Sequence, residues 1–305
     1  MPQPIIVGFD GSEHARDALV LGRAVAAVLD AELLVICAYT PEQWFWAEGT
    51  AAPMNEQERE RIQEAVAAEL SGTDRYELRM VPSSSAAGAL QVAAEQEGAE
   101  IVVVGSPHRE GLGRVLLGTV TEAVLDAAPC AVLVAPAGLA HAGPVSFERI
   151  GVGFDDTPQA HDALAVAQGF AEHTGSSVDI VWAANLVGRT LPLSFAGYLA
   201  PNYFEEVRSD VAARLERAAA PLRAKLTVRE EIAGGESVAA LAERTRDLDL
   251  LVLGSRGYGP LKRVLLGSVS RAVVARAHCP VLVVGRGVRG LDGARAEAAV
   301  AETSA

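Results

Sequence analysis

Cysteine is scarce in this chain: three residues in 305, with Cys37, Cys130 and Cys279 standing far apart. Neighbouring cysteines can therefore build neither a C-x-x-C redox pair nor a zinc knuckle, and each sits in an apolar run that suits a buried small hydrophobe. Positive charge is also in short supply, since 26 Lys and Arg against 39 Asp and Glu leave a formal charge of -13. That balance argues against a broad nucleic-acid surface, because phosphate backbones are gripped by clustered cations that release counterions. No apolar run reaches the ~18 residues of a membrane helix, and MPQPIIVGFD has no basic stretch leading into an apolar one. The expectation is a cytoplasmic protein with neither nucleic acid nor membrane as a partner.

What the chain does have is 50% apolar content, enough for a large core, and a length that suits about two domains at ~150 residues each. Short apolar runs alternate with longer helical patterns, the signature of parallel βαβ units. The expected strands of the first half are residues 4–9, 33–38, 76–81, 101–104 and 131–135, with four helices between them. The second half repeats the order at 149–154, 178–183, 226–231, 250–253 and 280–284. Gly8 and Asp10 recur 145 residues later as Gly153 and Asp155, and Gly105 and Cys130 recur 149 residues later as Gly254 and Cys279. The chain reads as a duplication: a first domain over 1–140, a linker over 141–147, a second domain over 148–286 and a tail over 287–305. The linker lies in the Gly-, Pro- and Ala-rich stretch PAGLAHAGPVSF, and the tail lacks a sustained apolar face.

Runs such as IVVV and LLVL, apolar at every position, imply a mostly parallel sheet with helices on both faces. Ligands of such open sheets bind at the carboxyl ends of strands, where the strand order reverses. Two related loops leave such ends: GSPHREGLGRVLLGTVT at 105–121 and GSRGYGPLKRVLLGSVS at 254–270. Glycines let backbone N–H groups approach a ligand closely, and the helix beginning near Gly267 presents unsatisfied donors and partial positive charge to an anion. Ser255, Ser268 and Ser270 add hydroxyls, while Arg256, Lys262 and Arg263 add cationic charge. Neither a G-K-[ST] ending nor a G-x-G-x-x-G spacing is present, so these are not the two common nucleotide fingerprints. A flexible strand-to-helix loop with a Ser cap is the alternative reading.

In the first copy His108 replaces Gly257. If that backbone position needs φ > 0, histidine costs about 1 kcal/mol or more, and the first site is expected to bind more weakly than the second. His108 reads either as a phosphate contact or as a solvated loop histidine. Asp10 and Asp155 likewise have two readings: acceptors for ribose hydroxyls or an adenine amine, or caps of the following helix. Ser12 and Thr157 can take the capping task and leave the carboxylates free. The aromatic-bearing segments PEQWFWAEG and GRTLPLSFAGYLAPNYF, each after a second strand, read as a lid, a partner surface or satellite core. No catalytic constellation is visible: no second acidic cluster stands beside the loops, and His14 and His161 have no equivalents at the 145-residue offset.

The pattern G-x-x-G-x9-G-[ST] after the fourth strand, the acidic residue ending the first strand and the CPVLVV final strand together resemble the universal stress protein family in its tandem two-domain form. The resemblance covers residues 4–135 and 149–284. It implies an α/β Rossmann-like fold of the adenine-nucleotide alpha hydrolase type, with two doubly wound parallel five-strand sheets of order 3-2-1-4-5 and fifth strands that pair to join the domains. It also implies ATP, with or without Mg²⁺, bound across the switch point. By the resemblance, Asp155 would contact the adenosine, Ala183 would lie near the base, and Gly254, Ser255, Arg256, Gly257, Gly267, Ser268, Val269 and Ser270 would hold ribose and phosphates. Asp10, Ala38, Gly105, Ser106, Gly118, Thr119, Val120 and Thr121 fall on the same positions in the first domain. The implied role is non-catalytic stress response through nucleotide-dependent conformation or partner binding. The alternatives are a weak ATPase or ATP-dependent transferase, and an interaction module that binds no nucleotide. A homodimer and an unidentified protein partner complete the expectations.

Overall fold

The computed structural model describes residues 3–42, 54–106, 117–183, 203–255 and 267–285. His108, Gly111, Gly113, Arg256, Gly257, Lys262, Arg263, most of both aromatic-bearing segments and the tail lie outside the described residues.

The first half runs β1 (Ile5–Gly8), α1 (Glu13–Leu29), β2 (Leu33–Tyr39), α2 (Glu56–Glu69), β3 (Tyr76–Pro82), α3 (Ala86–Glu97), β4 (Ile101–Gly105), α4 (Thr119–Ala127) and β5 (Ala131–Ala135). The second runs β6 (Arg149–Phe154), α5 (Pro158–Thr174), β7 (Ser177–Trp182), α6 (Tyr203–Ala219), β8 (Val228–Ile232), α7 (Ser237–Arg244), β9 (Leu250–Gly254), α8 (Ser268–Val274) and β10 (Val281–Val284). Strand ends differ from the periodicity reading by one or two residues. At Ala183, for example, β7 has already ended.

The ten strands among the described residues form one sheet in the order β3-β2-β1-β4-β5-β10-β9-β6-β7-β8. Each half has the order 3-2-1-4-5, parallel throughout. The halves meet where β5 and β10 pair antiparallel, with Val134 opposite Val281 and Val132 opposite Val283. The two fifth strands therefore cover each other's edges inside a single chain.

Alternation along the strands builds two cores from one apolar run. Ile5 and Val7 join the cluster beneath α1, α2, α5 and α6, whereas Ile6 joins the one beneath α3, α4, α7 and α8. Helices thus cover both faces across both halves. Cys37, Cys130 and Cys279 are free and buried in these cores. Burial pushes the Cys37 thiol up to about 11 and those of Cys130 and Cys279 up to about 12, which keeps them protonated and inert.

The junction between the halves is held at defined points. The carboxylate of Asp17, on α1 and only 3% exposed, accepts from the backbone N–H groups of Gly138 (2.9 Å) and Ala140 (2.8 Å). A one-turn 3-10 helix at Leu139–His141 follows from that grip. Phe147 packs edge-on against Phe170 of α5 at 4.9 Å. Across the seam, Arg271 of α8 donates to both carboxylate oxygens of Asp126 in α4, at 2.6 and 2.9 Å.

Candidate functional site

The order reverses between β1 and β4 in the first half, and a cavity of about 310 Å³ opens there at the carboxyl ends of the strands. β1 and its following turn contribute Gly8, Phe9, Asp10 and Ser12; β2 contributes Ile36 and Ala38; β4 contributes Val104 and Gly105. Ala86 and Leu90 of α3 wall one side, His14 and Ala15 of α1 another, and Gly118, Thr119, Val120 and Thr121 close the third. The lining is apolar around Ile36, Ala38 and Leu90 and polar around Asp10, Ser12, His14 and Thr119. Seven of the eight first-domain residues singled out from the sequence are thereby brought together. The eighth, Ser106, is buried (4% exposed) and instead lines a small gap at the seam with Val134, Pro136 and Cys279.

The helix caps answer one question left open by the sequence. Ser12 caps α1 by accepting from Ala15 N at 3.2 Å, and Thr157 caps α5 by accepting from Ala160 N at 3.3 Å. Neither aspartate caps a helix. Asp10 Oδ1 accepts from Ser12 N at 3.0 Å, and Asp155 Oδ1 accepts from the N (3.2 Å) and Oγ1 (2.6 Å) of Thr157. In each, Oδ2 has no partner among the described residues and is left as an acceptor.

The loop glycines do different work from one another. A Cβ on Gly105 would stand 2.0 Å from the carbonyl oxygen of His14, and one on Gly254 would stand 2.4 Å from that of Gln159. These glycines let the first turn of α1 or α5 lie directly on the end of β4 or β9, a packing reason rather than a need for positive φ. Gly118 and Gly267 have φ of -63° and -67°, ordinary for any residue. They sit at the N-caps of α4 and α8 and make no side-chain capping bond, so among the described residues the first N–H groups of each helix have no side-chain acceptor. The hydroxyls of Thr121 and Ser270 fasten these helices to the strand ends, donating to Gly105 O at 2.7 Å and Gly254 O at 3.3 Å.

The second half repeats the framework: Asp155 follows β6, Ala183 follows β7, and Gly267, Ser268 and Val269 open α8. Ser255, 1% exposed, continues the sheet through its N–H to Val284 O at 2.9 Å, as Ser106 does to Ala135 O at 3.0 Å. One backbone feature differs. The residue after the aspartate is Gly11 at φ 82° in the first half and Asp156 at φ 62° in the second. Asp156 tolerates the left-handed conformation while its carboxylate accepts from His161 Nε2 and Arg214 NH1, both at 2.9 Å. The bonds from His161 and then from Arg214 hold its carboxyl below the usual range. Among the described residues no three His, Cys, Asp or Glu side chains gather as a metal cage, and no helix is long and apolar enough to cross a membrane.

Two doubly wound parallel halves, the first with a cavity at its strand ends, define a Rossmann-like α/β protein. The family model for the universal stress protein family matches residues 1–136 and 146–285, and the chain belongs to that family. It is 27% identical over 307 residues to a universal stress protein of Mycobacterium tuberculosis, covering 92% of this chain and 96% of that relative. A Thermus aquaticus universal stress protein is 32% identical over 135 residues, 44% of this chain and 98% of its own. Among solved structures, a universal stress protein of Archaeoglobus fulgidus shares the fold with a TM-score of 0.67 at 20% identity, covering 93% of this chain and 98% of that one.

Proposed function

We propose that this chain is an ATP-binding, non-catalytic member of its family, in which nucleotide occupancy biases conformation or the choice of a protein partner in the cytoplasm. The observation that carries the reading is the strand-end cavity of the first half, which joins an apolar recess around Ile36, Ala38 and Leu90 to the N-terminus of α4. Adenine would enter the recess between Ala38, Ile36 and Leu90, and the Oδ2 of Asp10 would accept from the adenosine. Phosphates would lie at the start of α4, on the N–H groups beside Gly118, Thr119 and Val120. Thr121 would act by holding α4 in place, and Ser106 by extending the strand end. Asp155, Ala183, Gly254, Ser255, Gly267, Ser268, Val269 and Ser270 would form the second site, together with Arg256 and Gly257. Mg²⁺ would arrive with the phosphates.

Hydrolysis or group transfer would need a positioned base and a clamp on the leaving phosphate. ATP at a thousandfold excess over its dissociation constant should stabilise the chain by about 4 kcal/mol. Scanning calorimetry with and without ATP checks this. A melting temperature indifferent to ATP sinks the reading, and steady phosphate release would move the chain to the ATPase alternative.

A further inference from the structure

Among the described residues that line the first cavity, one side chain can bear positive charge, and it is His14. It stands in the first turn of α1, where its carbonyl oxygen packs against Gly105 at the end of β4. That contact fixes the backbone of His14 directly beside the start of α4, because Thr121 of α4 donates to the same Gly105 at 2.7 Å. The ring's Nδ1 is buried and has no hydrogen-bond partner among the described residues. A buried N–H without an acceptor is rarer and costlier than a bare lone pair, so the proton belongs on Nε2. The imidazole then presents a donor to the cavity.

Asp10 can only accept and Thr121 has committed its hydroxyl to Gly105, so the side-chain donors left in the lining are the hydroxyls of Ser12 and Thr119 and the imidazole of His14. In the second half the equivalent position is Gln159, an amide in place of the imidazole.

Resting on the nucleotide reading above, we infer that His14 is a specificity-determining contact of the first site, donating from Nε2 to a phosphate oxygen of the bound nucleotide. The first site would then discriminate nucleotide from nucleoside through a group that the second half lacks. A hydrogen bond to a charged partner that is lost on truncation corresponds to about tenfold or more in affinity.

The test is calorimetry on the full chain carrying Gly267→Val, which closes the second site, with and without His14→Ala. The alanine change should weaken ATP about tenfold and alter adenosine by less than about twofold. Equal losses for both ligands, or no loss for either, overturn the assignment while leaving ATP binding intact. If the parent chain without either change binds no ATP, the nucleotide reading falls and this inference with it. A second readout follows the parent chain, with His14→Gln used only to assign the signal: the His14 imidazole ¹⁵N resonance should shift on saturation with ATP and stay in place with adenosine. A signal unmoved by bound ATP contradicts the contact.

Discussion

The two halves keep the same skeleton and differ at the mouth. Gly105 and Gly254 each lie under a carbonyl in the first helix of their own half, at 2.0 and 2.4 Å for an added Cβ. Ser12 and Thr157 both cap that helix, and Thr121 and Ser270 both tie the later helix to its strand. By contrast, Gly11 becomes Asp156, His14 becomes Gln159 and His108 becomes Gly257. Duplication preserved what packing demands and let these three positions drift. The expectation of a weaker first site counted His108 alone; His14 pulls in the opposite direction, so the two substitutions need separate measurement.

The largest effect should come from attacking the shared skeleton. Gly105→Ala or Gly254→Ala drives a methyl into backbone that cannot rotate away, which should cost about 3 kcal/mol, or about 10 °C in thermal melting. If the two halves are equivalent in this respect, both variants suffer alike; a tolerant Gly254→Ala would break the equivalence. Asp17→Ala should follow, at about 2 kcal/mol, because two backbone donors lose their buried acceptor. Urea unfolding at a constant m-value checks it.

Affinity differences rank next. His108→Gly should raise first-site ATP affinity about fivefold if a positive-φ cost of about 1 kcal/mol is relieved, as read by titration calorimetry on the full chain. The smallest effect concerns Asp156. Its depressed carboxyl contributes stability at pH values above the ordinary aspartate range, and that contribution is lost as pH falls through the lower folded value. Asp156→Asn should therefore melt about 1–2 °C below the parent at pH 7, and the gap should narrow as pH falls below the ordinary aspartate range. A gap that widens in acid would reverse the assigned sign.

Much of this was legible in the residues. Period-two and period-3.6 patterns located the ten strands to within a residue or two, and Ser12 and Thr157 announced the caps by their hydroxyls ahead of DAL-containing helices. The reason for Gly105 was not legible. It depends on a carbonyl at His14, far away in the chain, and long-range backbone approach leaves no local signal. His14 itself carried a readable mark, as a first-turn histidine with no counterpart in the other copy. Its value became apparent only when Gly105, α1 and α4 were placed around one cavity.

The central claim is two nucleotide sites, one per half. Native mass spectrometry of the intact chain titrated with ATP tests it most directly. The account predicts a final state of two ATP per chain, falling to one with Gly118→Val or Gly267→Val alone. A chain that carries no ATP at saturation, or keeps both in the two variants, would contradict it.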